Sequence, residues 1–304
     1  MLTSKNTHYL KKHPGLKKYL GLKKQLVCHL FVAGLVAISA SDNHAYAQTV
    51  AELGTPSDPF QVLDLQANCK DNIALSEQKP NVANDDSLKR LEYAAEEGDA
   101  VAMWKLGRIY ASCQKDKESH LRAFEMFSRV VRLQGDLTLY SNNAPVTANA
   151  FVSLGQYYRR GIPDSRIKKN EDKAWGMFLT AATYYGDPNA QFALFEMCDA
   201  ASVDICSNVQ AGRWLKKSAL NGDVSGQARF GYRQFEGAKG LKQNRVEGLK
   251  WLTIARQRAH PARHDWVQEL HERAFSIANV EEREKALKRS KIWIKKHCKN
   301  DLSC

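Results

Sequence analysis

Cysteine and histidine are the side chains here whose number and spacing point to covalent or metal chemistry. Seven cysteines stand at 28, 69, 113, 198, 206, 298 and 304, and no two form a Cys-x-x-Cys pair. A thioredoxin-like redox couple and a zinc ribbon both need that spacing, so neither is expected. Three histidines come closest to a ligand set: His260, His264 and His271. The i,i+4 pair 260/264 suits zinc on a helix face. However, Pro261 follows His260 directly and marks a helix start, and no carboxylate stands at an HExxH-like position. No metal or cofactor is expected. There is no Gly-rich phosphate loop and no Gly-x-Ser-x-Gly elbow, and Ser225 falls in Gly222-Asp-Val-Ser-Gly226, where capping or packing explains it. Acids and histidines are otherwise scattered without a constellation, so the chain is read as a non-enzyme.

Two stretches point to binding. Lys288, Arg289, Lys291, Lys295, Lys296 and Lys299 form a basic run broken by Ile292, Trp293 and Ile294. As an amphipathic helix it can close a helical array with Leu287, Ile294 and neighbours while turning cations outward, where they are placed to touch an anionic lipid surface or an acidic partner. The second stretch comprises the long connections Asn142-Asn143-Ala144-Pro145 and Arg160-Gly161-Ile162-Pro163-Asp164-Ser165. Insertions in repeat arrays emerge on one face and contact partners, which makes Tyr157, Arg159, Arg160, Ile162 and Asp164 the interface candidates.

The formal charge of +12 suggests nucleic acid until its distribution is read. Residues 1–47 hold seven lysines and one acid, and the remainder, 38 basic against 32 acidic residues, carries only +6. Those first residues have the three parts of a secretory signal peptide: a lysine-rich start, an apolar stretch from Leu26 to Ala40, and Ala45-Tyr46-Ala47. Cleavage is expected between Ala47 and Gln48. The apolar stretch contains His29 and is shorter than the about 20 residues needed to span a bilayer, so no stable membrane insertion is expected after cleavage. Export to the periplasm, with secretion as the alternative, makes nucleic acid an unsuitable partner. It also turns the six remaining cysteines into disulfide candidates.

The elements that position these residues repeat. Ala94-Ala95, Ala181-Ala182 and Ser218-Ala219 each precede a Gly-Asp pair, Gly98-Asp99, Gly186-Asp187 and Gly222-Asp223. A small residue follows each glycine by four, and an apolar one by eight: Ala102/Leu106, Ala190/Leu194 and Gly226/Phe230. A fourth copy lacks Gly-Asp but keeps Ala150, Leu154-Gly155 and Tyr158, so the small anchors lie 48, 40 and 36 residues apart. Glycine supplies a left-handed helix stop and the following Asp an N-cap. Each unit therefore reads as two antiparallel helices, the second carrying Ala123-x-x-Met126-Phe127 and its counterparts at 174, 211 and 248. One helix pair cannot bury its own apolar face, so stacking is required. The expected fold is an all-α, right-handed solenoid of helix pairs with a C-terminal capping helix. The expected organisation is 1–47 signal peptide, 48–84 N-terminal extension, 85–260 about four repeats, and 261–304 C-terminal helices and basic cap. Six cysteines allow 15 pairings. The repeat geometry puts Cys198 and Cys206 at the mouth of one helix-pair loop, a tie worth under about 3 kcal/mol. Elimination leaves Cys298 with Cys304 and Cys69 with Cys113.

This pattern resembles Sel1-like (TPR-like) repeats over roughly residues 88–260. Residues 147–197, above all Leu154-Gly155-Gln156-Tyr157-Tyr158-Arg159-Arg160-Gly161-Ile162-Pro163 and Ala190-Gln191-Phe192-Ala193-Leu194, look like the middle of ExoR-like periplasmic regulators of alphaproteobacteria. Asp265-Trp266-Val267-Gln268-Glu269-Leu270 and Ala274–Ala278 resemble that family's C-terminal region. The resemblance implies a negative regulator of exopolysaccharide or virulence control that binds the periplasmic sensor domain of a two-component histidine kinase. Six cysteines, residues 48–84 and the basic tail depart from that family. One alternative is a secreted or envelope Sel1 scaffold engaging host or envelope proteins. Another is a β-lactamase-like enzyme, because Cys-x7-Cys looks like the spacing in the cysteine-rich Sel1 proteins of Helicobacter.

Overall fold

The computed structural model describes residues 82–113, 116–135, 141–200, 206–238 and 241–298. The expected cleavage point at Ala47–Gln48, most of the N-terminal extension, and Cys69, Lys299 and Cys304 lie outside the described residues. Everything described is helix and connection: α1 Val82–Glu96, α2 Ala100–Ala111, α3 Lys117–Gln134, α4 Ala144–Arg160, α5 Glu171–Tyr184, α6 Pro188–Ala200, α7 Asn208–Leu220, α8 Val224–Glu236, α9 Arg245–Arg258, α10 Asp265–Ile277 and α11 Val280–His297. The chain is an all-α solenoid of stacked pairs. Helices α2/α3, α4/α5, α6/α7 and α8/α9 pack most closely within pairs, and each pair then packs on the next.

The junctions between pairs follow from local chemistry. Gly98, Gly186 and Gly222 adopt φ of +95°, +68° and +97°, a region that disfavours any side chain, and so end one helix at the same point in three units. The aspartate after each caps the next helix, accepting from the N–H groups of Ala102 at 2.7 Å, Ala190 at 2.8 Å and Gly226 at 2.5 Å. The copy without Gly-Asp starts differently. Asn143 makes no side-chain cap, and Pro145 occupies the first turn of α4, where its missing N–H costs nothing.

Within pairs, small residues set how near the helices come. A Cβ on Gly107 would lie 2.8 Å from the Phe127 ring, and one on Gly155 would lie 2.6 Å from the Phe178 ring. Both phenylalanines are fully buried, and each contributes roughly 1.5–3 kcal/mol of apolar burial. One apolar core runs through the stack from Ala95 to Ile254. A smaller one, containing Phe235, Leu249, Leu252, Ala274 and Ala286, joins the last pair to α10 and α11.

The buried polar groups follow the repeat as well. Gln191 donates to the carbonyls of Ala182 and Gly186, and Asn221 from the next junction donates to Gln191 Oε1 at 3.0 Å. One unit on, Gln227 donates to Ala219 O, and Arg258 donates to Gln227 Oε1 and Gly222 O at 2.8 Å. Both of these junctions thereby satisfy buried carbonyls with a side chain from their own unit and one from the end of that unit's second helix.

Two local expectations are corrected. Pro261 does not begin a helix: residues 261–263 form a turn closed by Arg263 and His264 N–H groups on His260 O, and α10 starts at Asp265. In α11 the packed face is Ala286, Ser290, Trp293 and Ile294, with Leu287 exposed at the rim. The small residues at 286 and 290 let α11 approach α9, and Trp293 then reaches the Trp251 ring at 5.5 Å.

Candidate functional site

The first helices of successive pairs supply one face of the stack. On it, α4, α6 and α8, with the 260–264 turn and the start of α10, line a groove of about 280 Å³. Helix α4 contributes Gln156, Arg159 and Arg160, α6 contributes Asn189, Phe192 and Glu196, and α8 contributes Ser225 and Arg229. Arg263, His264 and Trp266 close the far end. Arg108, on α2 at the other end, is held below the usual arginine range first by burial and then by the nearby Arg263 guanidinium. Stacked helix pairs give such extended concave surfaces because each unit is rotated slightly on the last.

Cross-unit ion pairs fix the groove's rim. Arg159 on α4 reaches Glu196 on α6 at 2.7 Å, and Arg233 on α8 reaches Asp199 on α6 at 2.5 Å. The guanidinium of Arg229 lies 4.9 Å from the centre of the Trp266 ring, and that of Arg233 lies 4.7 Å from the Phe195 ring. Stacking of this kind orients a cation without neutralising it. Beneath the groove, desolvation pushes the buried Asp223 carboxyl up to about 7, against hydrogen bonding from Gly226 and the nearby charge of Arg258. His264 is also buried. Desolvation and surrounding arginines pull its imidazole down to about 4, and its Nδ1 accepts from the His260 N–H at 3.0 Å.

The interface candidates separate. Arg159 and Arg160 line the groove. Tyr157 and Ile162 do not belong to any surface, being 1% and 3% exposed within the core. The Tyr157 ring faces α3, its hydroxyl 3.0 Å from His120 Nδ1, and burial raises its phenol above the usual range. Ile162 is folded inward by a hydrogen bond from its N–H to Ile167 O at 2.8 Å, which closes the 161–170 connection on itself. Asp164 is exposed at the tip of that connection, with φ of +50°, away from the groove-lining set. Sequence reasoning missed Asn189, Arg229, Arg263 and Trp266. Asn189 could have been found by position, in the first turn of a repeat-opening helix, and Trp266 falls in the segment that resembles the family's C-terminal region.

Cys198, at the end of α6, and Cys206, just before α7, form a disulfide with Cα atoms 5.6 Å apart. Cys113 and Cys298 are also in disulfide form, and the pairings expected for them involve Cys69 and Cys304, outside the described residues. His271 is buried near Thr253, with Nε2 at 3.3 Å from its hydroxyl, and does not converge with His260. Among the described residues no group of three or more His, Cys, Asp or Glu side chains is arranged to hold a metal ion. Among the same residues no helix is long and apolar enough to cross a membrane. Lys288, Lys291, Lys295 and Lys296 are exposed on α11, while Arg289 reaches Glu247 at 2.6 Å.

Comparison with known proteins gives the stack its class. Residues 151–183, 188–223 and 224–260 match the Sel1 repeat, which correspond to the pairs α4/α5, α6/α7 and α8/α9. A Sel1 repeat protein from Oxalobacter formigenes aligns over 83% of this chain and 98% of its own, with a TM-score of 0.48 at 19% identity. The exopolysaccharide production negative regulator of Rhizobium meliloti (strain 1021) is 30% identical over 217 residues, 71% of this chain and 77% of that protein. The regulator of the same name from Rhizobium leguminosarum bv. viciae is 29% identical over 207 residues, 68% and 75% of the two chains. The chain belongs to the ExoR-like family of Sel1-repeat proteins.

Proposed function

We propose that this protein is a periplasmic negative regulator of exopolysaccharide production, which binds the extracytoplasmic sensor domain of a two-component histidine kinase and holds the kinase off. The observation that carries the reading is the 30% identity with a regulator of that name over 77% of its length. The groove supports it, because a concave face built from several repeats is the binding surface this architecture offers. The leader-like residues 1–47 and the Cys198–Cys206 disulfide support an oxidising compartment.

The mechanism is a shift of populations. A protein that binds the kinase-off conformation more tightly than the kinase-on one moves the equilibrium by that difference in affinity, and its removal releases the kinase. No residue needs to react. The test is co-purification of the chain from residue 48 onward with the isolated periplasmic domain of a sensor kinase, together with kinase output in a deletion strain. Retention of the complex and raised output are expected. Unchanged output in the deletion strain would refute the reading.

A further inference from the structure

We propose that the cleft between α9, α10 and α11 binds a small hydroxycarboxylic acid, its carboxylate on the Arg256 and Arg283 guanidiniums and its hydroxyl on Nδ1 of His271. This site is separate from the groove and does not depend on the regulator reading. The cleft measures about 530 Å³, inside the roughly 300–1,000 Å³ range of ligand pockets. Three helices wall it: α9 with Thr253 and Arg256, α10 with His271 and Phe275, and α11 with Arg283 and Leu287.

His271 sets what the ligand must donate. It is 4% exposed, and desolvation, then the charge of Arg256, pull its imidazole down to about 4. The ring is therefore neutral near neutral pH, with a proton on one nitrogen and a bare lone pair on the other. Thr253 decides which. Its hydroxyl donates to Leu249 O at 2.7 Å, so it has only lone pairs left to offer His271 Nε2 at 3.3 Å. Nε2 thus carries the proton and Nδ1 is the acceptor. Nδ1 is buried and has no hydrogen-bond partner among the described residues. Buried polar atoms in folded proteins are nearly always paired, and a ligand hydroxyl in the cleft supplies the donor.

The arginines set what the ligand must accept. Arg283 donates through Nη2 to Ser276 O at 3.1 Å, and its guanidinium stands 4.8 Å from the centre of the Phe275 ring. Those contacts orient the cation without neutralising it, and its Nε is buried without a partner. Arg256, one turn beyond Thr253, is exposed. Among the described residues neither arginine is in an ion pair. A carboxylate matches a guanidinium fork in two parallel hydrogen bonds. The lining also holds an acid, Glu272, which accepts from Gln268 at 2.8 Å. Its repulsion grows with ligand charge, which favours a monoanion over a phosphate. Phe275 and the exposed Leu287 leave apolar surface for the body of the ligand.

The test titrates the purified chain by NMR with mandelate and 4-hydroxybenzoate. Phenylacetate and benzoate, which lack the hydroxyl, and the methyl esters, which lack the charge, run beside them. At least one hydroxy acid should bind with a Kd of about 1 mM or tighter, and at least tenfold tighter than both of its counterparts. Long-range proton–nitrogen spectra of the histidine rings read the site without any variant. His271 should show a protonated Nε2 and a bare Nδ1, and the Nδ1 signal should move with the hydroxy acid only. R256Q should weaken binding at least fivefold, while K291Q, on α11 outside the cleft, stays within twofold, with circular-dichroism melts confirming both folds. No binding of either hydroxy acid at about 10 mM overturns the proposal. So does equal binding of the acids with and without the hydroxyl, or a proton found on Nδ1. Equal loss in R256Q and K291Q would mean general charge attraction, and overturns it as well.

Discussion

Gly248→Ala tests how far close helix approach holds the last repeat together. A Cβ at 248 would lie 2.5 Å from the Phe235 nitrogen, 2.6 Å from the Gly231 carbonyl oxygen and 2.8 Å from the Phe235 Cα. All three are backbone atoms of α8, so no side chain can rotate aside. Carbon contacts are comfortable from about 3.5 Å, and the two helices must therefore separate by close to ~1 Å. Phe235, Leu249 and Leu252 lie in this seam at 1% exposure or less, and all lose contact together. Overpacking of this kind costs about 1–3 kcal/mol, and backbone opposition places it at the upper end. The better helix propensity of alanine returns about 1 kcal/mol, leaving a net loss of about 2 kcal/mol. Gly176 in α5 is the control, because a Cβ there meets nothing within 4 Å, and Gly176→Ala should gain about 0.5–1 kcal/mol. Urea unfolding by circular dichroism, paired with amide hydrogen exchange, reads both effects. Exchange should quicken in α8 and α9 of the Gly248 variant and stay unchanged in α4 and α5. If Gly248→Ala proves as stable as Gly176→Ala, the close-approach reasoning is wrong.

Three further outcomes follow from named groups. Replacing Cys198 and Cys206 by serine opens a cross-link of sequence separation 8, which chain entropy values at about 2.5 kcal/mol; a loss confined to faster exchange in α6 and α7 is expected, and none would contradict it. Trp104 donates its indole N–H to buried Asn149 at 2.6 Å, so Trp104→Phe should cost about 1–3 kcal/mol in chemical denaturation by stranding that amide. Desolvation pushes the buried Asp187 carboxyl from 3.8 up to about 6. The folded state thus binds this proton more tightly than the unfolded chain, and the resulting stability is full below about pH 4 and lost as pH rises through about 6. Asn caps a helix equally well without titrating, so Asp187→Asn should gain on the parent between pH 5 and pH 8 in thermal melts; a pH-independent difference would count against the assignment.

What was legible in the sequence was what neighbouring residues decide among themselves. Gly222 stops a helix and Asp223 caps the next through bonds spanning three residues, so the junctions could be read from spacing. The Cys198–Cys206 tie followed from the same geometry, because both lie at one loop mouth. The failures arose where a side chain's direction depends on another unit. Tyr157 and Tyr158 are adjacent and chemically identical, yet only the phase of α4 against α3 turns the first onto His120 and into the core. Leu287 was the obvious apolar anchor of α11, but Ala286 and Ser290 set the approach to α9 and left it outside. Arg159, Arg229 and Arg263 sit far apart in the chain with nothing local to link them, and only the curvature of the stack turns them toward one groove. Sequence by itself therefore determined the repeat, its caps and its cross-link. The tertiary structure decided which arginines share a surface, since that depends on how each unit is rotated on the last.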